Sequence, residues 1–498
     1  MLVERPERRL MRGLEPLSPA IFEAWNGRLE GALAVYDCFL VLEVHPSRLG
    51  RRPLRVAHSP AHALTRGGVL QQVHGVSCMG PSAWGQVLGV KCLGSMVGTG
   101  SKGEQMTKLA SHEAKITEWL AAQNEAMLAL LAEVVNIDSG SYDKSGVDAV
   151  GDRFVRFFSE QGLLTAIEPN ERFGNAIHVR LDDKPSNERP IVLMGHRDTV
   201  FAKGEVARRS FRVEGGRAYG PGVVDMKGGL VLNAFVLAAF KRFGGAPAPL
   251  VGLITSDEEI ASPSSRPIIE RVGRAARCVF NSEPGRPSGN VVTSRKGGVF
   301  LSFEVIGKAA HSGGNFEKGI SAIGELAHKI VALHNLTDLQ RGITVNVGLV
   351  RGGQSVNTTA PSAEGQIDLR YVRPEQRTHM LAAVQEIIDG ATVAGTKAKL
   401  EIKGEFLPVT PTPQADALFH CYQGAAADAG LAVAGEFSGG CADSGFTAAV
   451  GCPTLCGVGP VGGNAHTPEE YLEVDTLVRR AQAMALAILR LPADGARG

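Results

Sequence analysis

Hydrophobic and polar residues follow two alternating patterns between Ser111 and Asn281. Apolar residues at helical spacing predict amphipathic helices, and short apolar runs bounded by turn residues predict buried strands. Strands that alternate with helices are typical of an α/β domain with a mostly parallel sheet. The predicted helices are Ser111–Val135, Val147–Gln161, Gly228–Phe243 and Arg266–Val272, and the predicted strands are Pro190–Met194, Leu250–Thr255 and Arg277–Asn281.

The pattern changes near Gly297 and changes back after Pro408. Between them the order strand–helix–strand–strand–helix–strand predicts a ferredoxin-like (α+β) domain, inserted into the larger domain. Residues 106–296 and 409–498 then form the two parts of the larger domain, and residues 297–408 form the insertion. The predicted elements are Val299–Ile306, Gly319–Leu336, Ile343–Val350, Ala363–Val372, Glu375–Gly390 and Lys397–Lys403, followed by Asp416–Gly430, Thr454–Gly457 and Val474–Leu491.

The first hundred residues do not continue either pattern. Val44–Gly103 contains no Asp or Glu, and its Gly, Pro, Ser and His residues follow no turn pattern. The most apolar stretch, Ala32–Leu42, is too short to span a bilayer, which needs about 20 residues. We expect residues 1–105 to be a poorly ordered extension, with Met106 as the natural start; a functional basic arm is the alternative. The start has no secretory signal, which predicts a cytoplasmic protein.

Composition narrows the possible partners. The chain has 498 residues, 52 Lys and Arg against 51 Asp and Glu, and a formal net charge of +1. A global footprint for nucleic acid or a membrane surface is therefore not expected. The eight cysteines form no C-x-x-C pair, which argues against a disulfide framework or a zinc knuckle.

Polar side chains follow the predicted strands where the strands end, and further ones stand in two glycine-rich segments. Ligands bind at the carboxyl ends of strands in open α/β sheets, so these groups can converge. Each fragment alone is ambiguous, because a strand-end His is often structural and Asp225 could simply cap the next helix. Together they supply the nitrogen and oxygen ligands that zinc accepts. The residues are His196 and Asp198, Asp225, Glu258 and Glu259, Glu283, and His466.

The ordered set of motifs HRD, GPGVVDMKGG, DEE, SEP, GKAAH and GNAHTPEEY resembles a known family. This is the zinc-dependent aminoacylase and carboxypeptidase family, which includes glutamate carboxypeptidase (carboxypeptidase G), acetylornithine deacetylase and succinyl-diaminopimelate desuccinylase. The resemblance covers about Gln123 to Leu491 and is best for the glutamate carboxypeptidase branch. It implies a di-zinc exopeptidase fold, in which the larger domain is catalytic and the inserted domain mediates dimerisation.

The resemblance also implies two Zn²⁺ ions per subunit, with Co²⁺ or Mn²⁺ as alternatives. Asp225 would bridge the two ions. His196 and Glu283 would complete one site, and Glu259 and His466 the other. Asp198 would fix the tautomer of His196. Glu258 would act as the general base and then deliver the proton to the leaving amine.

The inserted domain would contribute residues across a homodimer. His311 of GKAAH resembles the residue that reaches the partner's active site and stabilises the oxyanion. Asn357 and Arg370 resemble residues that hold the substrate's terminal carboxylate, which suits a guanidinium fork. Arg370 could equally form a structural salt bridge.

Two segments depart from the family pattern. Glu405 or Phe406 stands where glutamate carboxypeptidases tend to carry a second arginine, and an acid there would disfavour a dianionic glutamate tail. Cys441 and Ser444 replace smaller residues in SGGCADSGF, and we interpret Cys441 as a buried hydrophobe rather than a zinc ligand.

Three functions remain open. The first is a metallo-exopeptidase that releases a C-terminal amino acid from N-acyl amino acids or small peptides. The second is an N-acyl-amino-acid deacylase, and the third is a catalytically silent binding protein on the same fold. The complete set of ligands and base disfavours the third.

Overall fold

The structure, a computed structural model, describes residues 110–182, 184 and 186–492. The expected extension of residues 1–105, the basic segment within it and the proposed start at Met106 all lie outside the described residues.

An eight-stranded sheet forms the centre of the larger unit, in the order β1-β2-β6-β3-β7-β14-β8-β13. Its middle strands β6, β3, β7 and β14 are parallel, and the pairs β1/β2, β2/β6 and β14/β8 are antiparallel. The carboxyl ends of the parallel strands therefore lie along one edge. The strands are β1 Leu164–Glu168, β2 Ala176–Arg180, β3 Ile191–His196, β6 Leu250–Thr255, β7 Cys278–Asn281, β8 Val291–Arg295, β13 Gly435–Ser438 and β14 Thr454–Cys456.

Most helices of the larger unit pack on this sheet in one hydrophobic cluster, while Ile269 and Phe446, from two other helices, pack in a second. The most buried of them is α5, in which every residue from Gly228 to Phe240 is buried. The helical stretch Val223–Arg242 is long and apolar enough to cross a membrane, but 94% of its apolar window is buried in the fold, as expected for a core helix. The helices are α1 Ser111–Ala121, α2 Asn124–Val135, α3 Lys144–Glu160, α4 Glu205–Arg208, α5 Gly228–Arg242, α6 Arg266–Ala275, α9 Pro413–Asp428, α10 Ser444–Ala449 and α11 Val474–Arg490.

The inserted segment forms a four-stranded antiparallel sheet in the order β10-β11-β9-β12. This is the strand order of a ferredoxin-like fold, and helices α7 and α8 pack against it around a separate hydrophobic cluster. The chain enters and leaves this unit at one neck, where Arg295 and Val409 pair. The elements are β9 Gly297–Ile306, α7 Ala322–His334, β10 Thr344–Gly352, β11 Ser362–Tyr371, α8 Pro374–Asp389 and β12 Lys397–Phe406.

The predicted fold class, an α/β domain with an inserted α+β unit, is confirmed, with local differences. The helix predicted at Ser111–Val135 is two helices, interrupted at Ala122 and Gln123 beside Asn124, a residue type that favours helix ends over interiors. A second four-stranded sheet was not predicted, because strands of two or three residues are too short for a periodicity signal. It consists of β4 Arg212–Glu214, β5 Arg217–Tyr219, β15 Gly462–Gly463 and β16 Tyr471–Glu473.

Candidate active site

The parallel strands deliver most of the predicted polar residues to one edge of the large sheet. His196 is the last residue of β3, Glu258 and Glu259 begin a short 3-10 turn after β6, and Glu283 follows β7. Strand β3 lies between β6 and β7, so the residues that follow its neighbours flank His196 on both sides. His466 reaches the same edge from the loop after β15, with a φ of 66°.

Asp225 is presented by the glycine-rich turn before α5. Gly222 has a φ of 72°, a conformation that glycine adopts without strain. The buried carboxylate of Glu470 accepts hydrogen bonds from the backbone N–H groups of Gly222 (3.0 Å), Val224 (2.9 Å) and Asp225 (3.1 Å). A single acid from the far end of the chain therefore holds the backbone that carries Asp225.

The carboxylate of Asp225 faces two histidines with its two different oxygens. Its Oδ1 lies 3.5 Å from His196 Nε2, and its Oδ2 lies 3.3 Å from His466 Nε2. Glu283 Oε1 is 3.7 Å from His196 Nε2, and Glu259 Oε2 is 3.2 Å from His466 Nε2. The five residues thus form two groups of three that share Asp225.

This donor set fits metal ions. Ligand atoms about 2.0–2.2 Å from a tetrahedral zinc lie about 3.3–3.6 Å apart, close to the spacings between these nitrogens and oxygens. His196 Nε2 and Glu283 Oε1 are buried and have no hydrogen-bond partner among the described residues. Atoms of His196, Asp225 and Glu259 also lie within 4.8 Å of one another, so the two groups of three adjoin closely. These donors could therefore hold metal ions at this edge of the sheet.

Asp198 orients both His196 and the turn that follows β6. The Nδ1 atom of His196 is 3.1 Å from the backbone oxygen of Asp198 and 3.3 Å from its Oδ1. The carboxylate of Asp198 also accepts hydrogen bonds from the N–H groups of Glu258 (3.1 Å) and Glu259 (3.2 Å). The hydroxyl of Ser141 donates to the same carboxylate at 2.6 Å.

Burial and crowding of acids shift the protonation of the site. Burial raises the pKa of Glu258 well above its usual value, and the nearby acids Glu283, Asp443 and Glu259 reinforce the shift. Burial, followed by the charge of Asp225, raises the pKa of Glu283 to about 7. Hydrogen bonds to Asp225 and Glu259 raise the pKa of His466 to about 10. The cluster thus concentrates negative charge that protons or cations must balance.

For His196 and Asp225, the neighbouring charged groups oppose and outweigh the effect of burial on the pKa. Burial alone would lower the pKa of His196, but Asp198, Asp225 and Glu258 outweigh it and raise this pKa well above the usual value. Burial alone would raise the pKa of Asp225, but the neighbouring imidazoles of His196 and His466 hold this pKa below its usual range. Asp225 is therefore the acid best suited to stay ionised between two positive centres.

His311 and Asn357 lie together on the inserted unit, exposed and with local contacts. His311 Nδ1 accepts hydrogen bonds from the N–H groups of Gly313 and Gly314, both at 3.1 Å, which leaves the proton of the neutral ring on Nε2. The backbone oxygen of Asn357 accepts from the N–H of Ser312 at 3.0 Å. The structure thus places these two residues on adjoining segments, which pair at His311 and Thr358, while His196, Asp225 and the acids gather in the larger unit.

Arg370 lies where the inserted unit meets the larger one. Its guanidinium donates to both carboxylate oxygens of Asp368, at 2.6 and 3.1 Å, and its Nη1 is 2.8 Å from the sulfur of Cys441. Arg370 therefore makes the salt bridge expected from the structural interpretation, and a substrate carboxylate would have to share the guanidinium with Asp368.

Glu405, Phe406 and Cys441, which depart from the family pattern, all make contacts within the protein. Glu405 accepts hydrogen bonds from Arg266 at 2.7 Å and Arg377 at 2.6 Å, so its negative charge is balanced rather than presented to a ligand. Phe406 is buried and stacks on Phe446, with ring centroids 5.7 Å apart. Cys441 is half-buried and packs against the hydrophobic cluster that includes Phe406 and Ala261.

Sequence reasoning gave no role to Glu470 or Asp443. Glu470 lies in the motif GNAHTPEEY, and its place in that motif was a signal that could have pointed to a role. Asp443 belongs to SGGCADSGF, between Cys441 and Ser444, the two residues that depart from the family pattern. Both are buried acids whose partners are distant in sequence, and that information is absent from local patterns.

The fold and this cluster define a metal-dependent hydrolase. The chain belongs to peptidase family M20/M25/M40, whose sequence profile matches residues 192–490. Carboxypeptidase G2 of Pseudomonas sp. (strain RS-16) is 26% identical over 380 residues, covering 74% of this chain and 90% of the relative. Acetylornithine deacetylase of Edwardsiella ictaluri (strain 93-146) is 26% identical over 379 residues, covering 72% and 95%.

Solved structures share the fold. The di-peptidase Dug1p from Saccharomyces cerevisiae has a TM-score of 0.60 at 17% identity, covering 76% of this chain and 98% of that protein. The metallo-carboxypeptidase Sso-CP2 from Sulfolobus solfataricus also has a TM-score of 0.60 at 17% identity, covering 73% and 99%. These likenesses show the fold, and the family identifies the protein as a hydrolase.

Proposed function

We propose that the protein is a di-zinc amidohydrolase that releases a C-terminal amino acid, of glutamate type, from N-acyl amino acids or small peptides. The observation that carries this proposal is the position of Asp225, whose two oxygens face two histidines. A carboxylate so placed can bridge two cations. His196 and Glu283 would hold one Zn²⁺, and Glu259 and His466 the other.

Glu258 is the proton carrier in this proposal. It is buried, and its Oε2 lies 3.8 Å from His196 Nε2 beside the donor cluster. Its raised pKa suits a group that takes a proton from the attacking water and then passes it to the leaving amine. Bound zinc ions supply Lewis acidity, which acidifies water and polarises the scissile carbonyl.

The substrate-binding half of the proposal rests on the inserted unit. Arg370 and Asn357 would hold the terminal carboxylate, and the exposed Nε2–H of His311 would donate to the oxyanion in the partner subunit. The edge strand β10 exposes Leu349 (61%) and Val350 (52%), which supports a two-fold pairing of two copies along this edge.

The proposal extends to the domain organisation of the chain and to its location in the cell. The two hydrophobic clusters and the single neck support a catalytic domain formed by residues 106–296 and 409–498, with residues 297–408 as the dimerisation domain. We further propose a cytoplasmic location, without a nucleic acid or membrane partner.

A deacylase that acts on N-acyl amino acids is the second candidate, because acetylornithine deacetylase covers as much of the chain at the same identity. Both candidates hydrolyse an amide and differ in which side of the bond is recognised. A silent binding protein is the third candidate, and the complete donor set with Glu258 beside it argues against it.

Metal analysis combined with a substrate panel tests the proposal. We expect about two metal ions per chain, loss of activity with a chelator, and recovery with Zn²⁺. Folate-type glutamates and acetylated amino acids should be compared by quantifying the released amino acid. Greater release of glutamate from the folate-type substrates supports the carboxypeptidase, and greater release of amino acid from the acetylated substrates supports the deacylase. A fully metal-loaded protein that cleaves neither class would contradict both.

A further inference from the structure

We propose that Asp443 is a positioning residue for the hydrolysis, because it holds both ends of the turn that carries Glu258 and Glu259. We define this turn as Thr255–Ser262, from the last residue of β6 to the residue after the 3-10 turn. The catalytic part of the inference rests on the proposed function of Glu258, whereas the mechanical part does not.

The contacts of Asp443 lie at the two ends of the turn. The hydroxyl of Thr255 donates to Oδ2 of Asp443 at 3.3 Å, and the hydroxyl of Ser262 donates to Oδ1. Glu258 and Glu259 stand between these two anchors. One carboxylate therefore fixes where the turn leaves the sheet and where it rejoins the fold.

The turn needs such a restraint because its backbone is unusual. Ala261 has a φ of 67° and Ser262 a φ of 53°, a left-handed conformation that side chains with a Cβ adopt rarely. Such residues persist where the surroundings hold them in place, and they cluster at functional sites. Asp198 holds the N–H groups of Glu258 and Glu259 from the other side, so the two acids clamp the turn between them.

Asp443 is itself rigidly supported. It directly precedes α10, and Phe446 of that helix packs in the hydrophobic cluster that contains Phe406 and Ala261. Two residues before Asp443, the sulfur of Cys441 contacts Arg370 of the inserted unit. The short segment Cys441–Asp443 thus touches both the turn with the proton carrier and the arginine proposed to bind substrate.

Asp443 occupies a position that is costly for stability. It is 2% exposed, and among the described residues its carboxylate accepts hydrogen bonds from two hydroxyl groups rather than from Lys or Arg. Burial raises its pKa to about 7. A buried acid without a cationic partner is usually destabilising, so its removal need not weaken the fold. Stability and activity should therefore respond differently to substitution.

The test compares Asp443→Asn and Asp443→Ala with a control on the helix that Asp443 precedes. Thr447→Val is the matched control, because it removes buried hydroxyl contacts to Ser444 (3.0 Å) and Thr454 (2.8 Å) without touching the turn. At saturating Zn²⁺ we expect kcat to fall about 10–10²-fold in the Asp443 variants with little change in KM, since small misplacements of catalytic groups have effects of this size. The melting temperature should not fall, and the control should retain its kcat.

Hydrogen exchange provides a measurement that does not depend on turnover. We expect amides of the Thr255–Ser262 turn to exchange faster in both Asp443 variants, and also in Ser262→Ala, than in the wild type or in Thr447→Val. Unchanged exchange and unchanged kcat would overturn the inference. A loss of kcat that merely follows a lower melting temperature would reduce Asp443 to a structural role and overturn it as well.

The two proposals fail in distinguishable ways. If the metal-loaded wild type cleaves no substrate of either class, the proposed function is wrong, whereas the exchange comparison still decides whether Asp443 holds the turn. If the wild type is active and the Asp443 variants match it in kcat and exchange, only the positioning role is wrong.

Discussion

The donor cluster of the larger unit and the polar residues of the inserted unit are built in opposite ways. His196 is 1% exposed and Glu283 is 6% exposed, and both contact other members of the cluster. His311 and Asn357 are exposed, and their hydrogen bonds are to their own neighbourhood. The first region has the donors that a metal site needs, whereas the second presents donors outward. Under the proposed function, one chain would gather the metal ligands itself and present its proposed oxyanion donor, His311, to another surface.

The largest expected effect comes from the donor cluster, on substitution of Glu258, the proposed proton carrier. Glu258→Ala should leave both metals bound and lower kcat by about 10²–10⁴-fold, because it removes the group that transfers the proton and none of the five donors. Metal content and kcat of the purified variant are the measurements. Glu259→Ala is the control and should lose metal. If Glu258→Ala loses metal instead, the two acids have been assigned in the wrong order.

The proposed role of His311, in the inserted unit, can be tested across subunits. His311→Ala should lower kcat by about 10²–10³-fold while metal content stays normal, since an oxyanion donor acts chiefly in the transition state. Mixed with Glu258→Ala under conditions of subunit exchange, it should restore activity toward roughly a quarter of wild type, because about half the dimers are hybrids with one complete site.

Another exposed histidine of the inserted unit provides the control for this experiment. His379→Ala should retain full activity, because His379 lies on α8, away from the loop of His311. Failure of the mixture to recover after confirmed exchange would show that His311 serves its own chain or has no catalytic role.

The pH dependence of metal binding gives the smallest effect and again concerns the first region. With its pKa raised to about 10, His466 is protonated at pH 7 in the metal-free protein, so a bound ion must displace that proton. Metal affinity should rise with pH by about tenfold per unit for each proton released. Calorimetry in buffers of different ionisation enthalpy measures the protons released. A pH-independent affinity between pH 6 and 9 would contradict the assignment of His466.

In the metal-free protein the same group links stability to pH. The folded pKa of His466 lies above its usual value, so its contribution is fully present at low pH and is lost as the pH rises through about 10. Glu283, with a pKa of about 7, also holds part of a proton near neutrality and adds to the protons that a metal displaces.

The element order and the residue types of the site could be read from the sequence because both are local signals. Apolar runs such as Pro190–Met194 predicted strand β3, and the polar residues that follow β3, β6 and β7 were expected at one sheet edge. The spacing of apolar residues and the position at which a strand ends depend only on residues that are close together in the sequence. The strands of two or three residues around Tyr219 and Tyr471 gave no such signal and pair only because the fold brings them together.

Only the tertiary structure decided which polar groups pair with each other across long sequence separations. Ser262 and Asp443 are 181 residues apart, and Gly222 and Glu470 are 248 residues apart, yet each pair is hydrogen-bonded. The sequence showed acids at these positions, but not whether Glu405 would face a ligand or two arginines. A carboxylate's role depends on burial and on which donors surround it, and those are set by packing between distant segments. The sequence by itself therefore determined the fold class and the candidate donors, whereas only the folded chain decided which acids bind, which pair, and which hold the others in place.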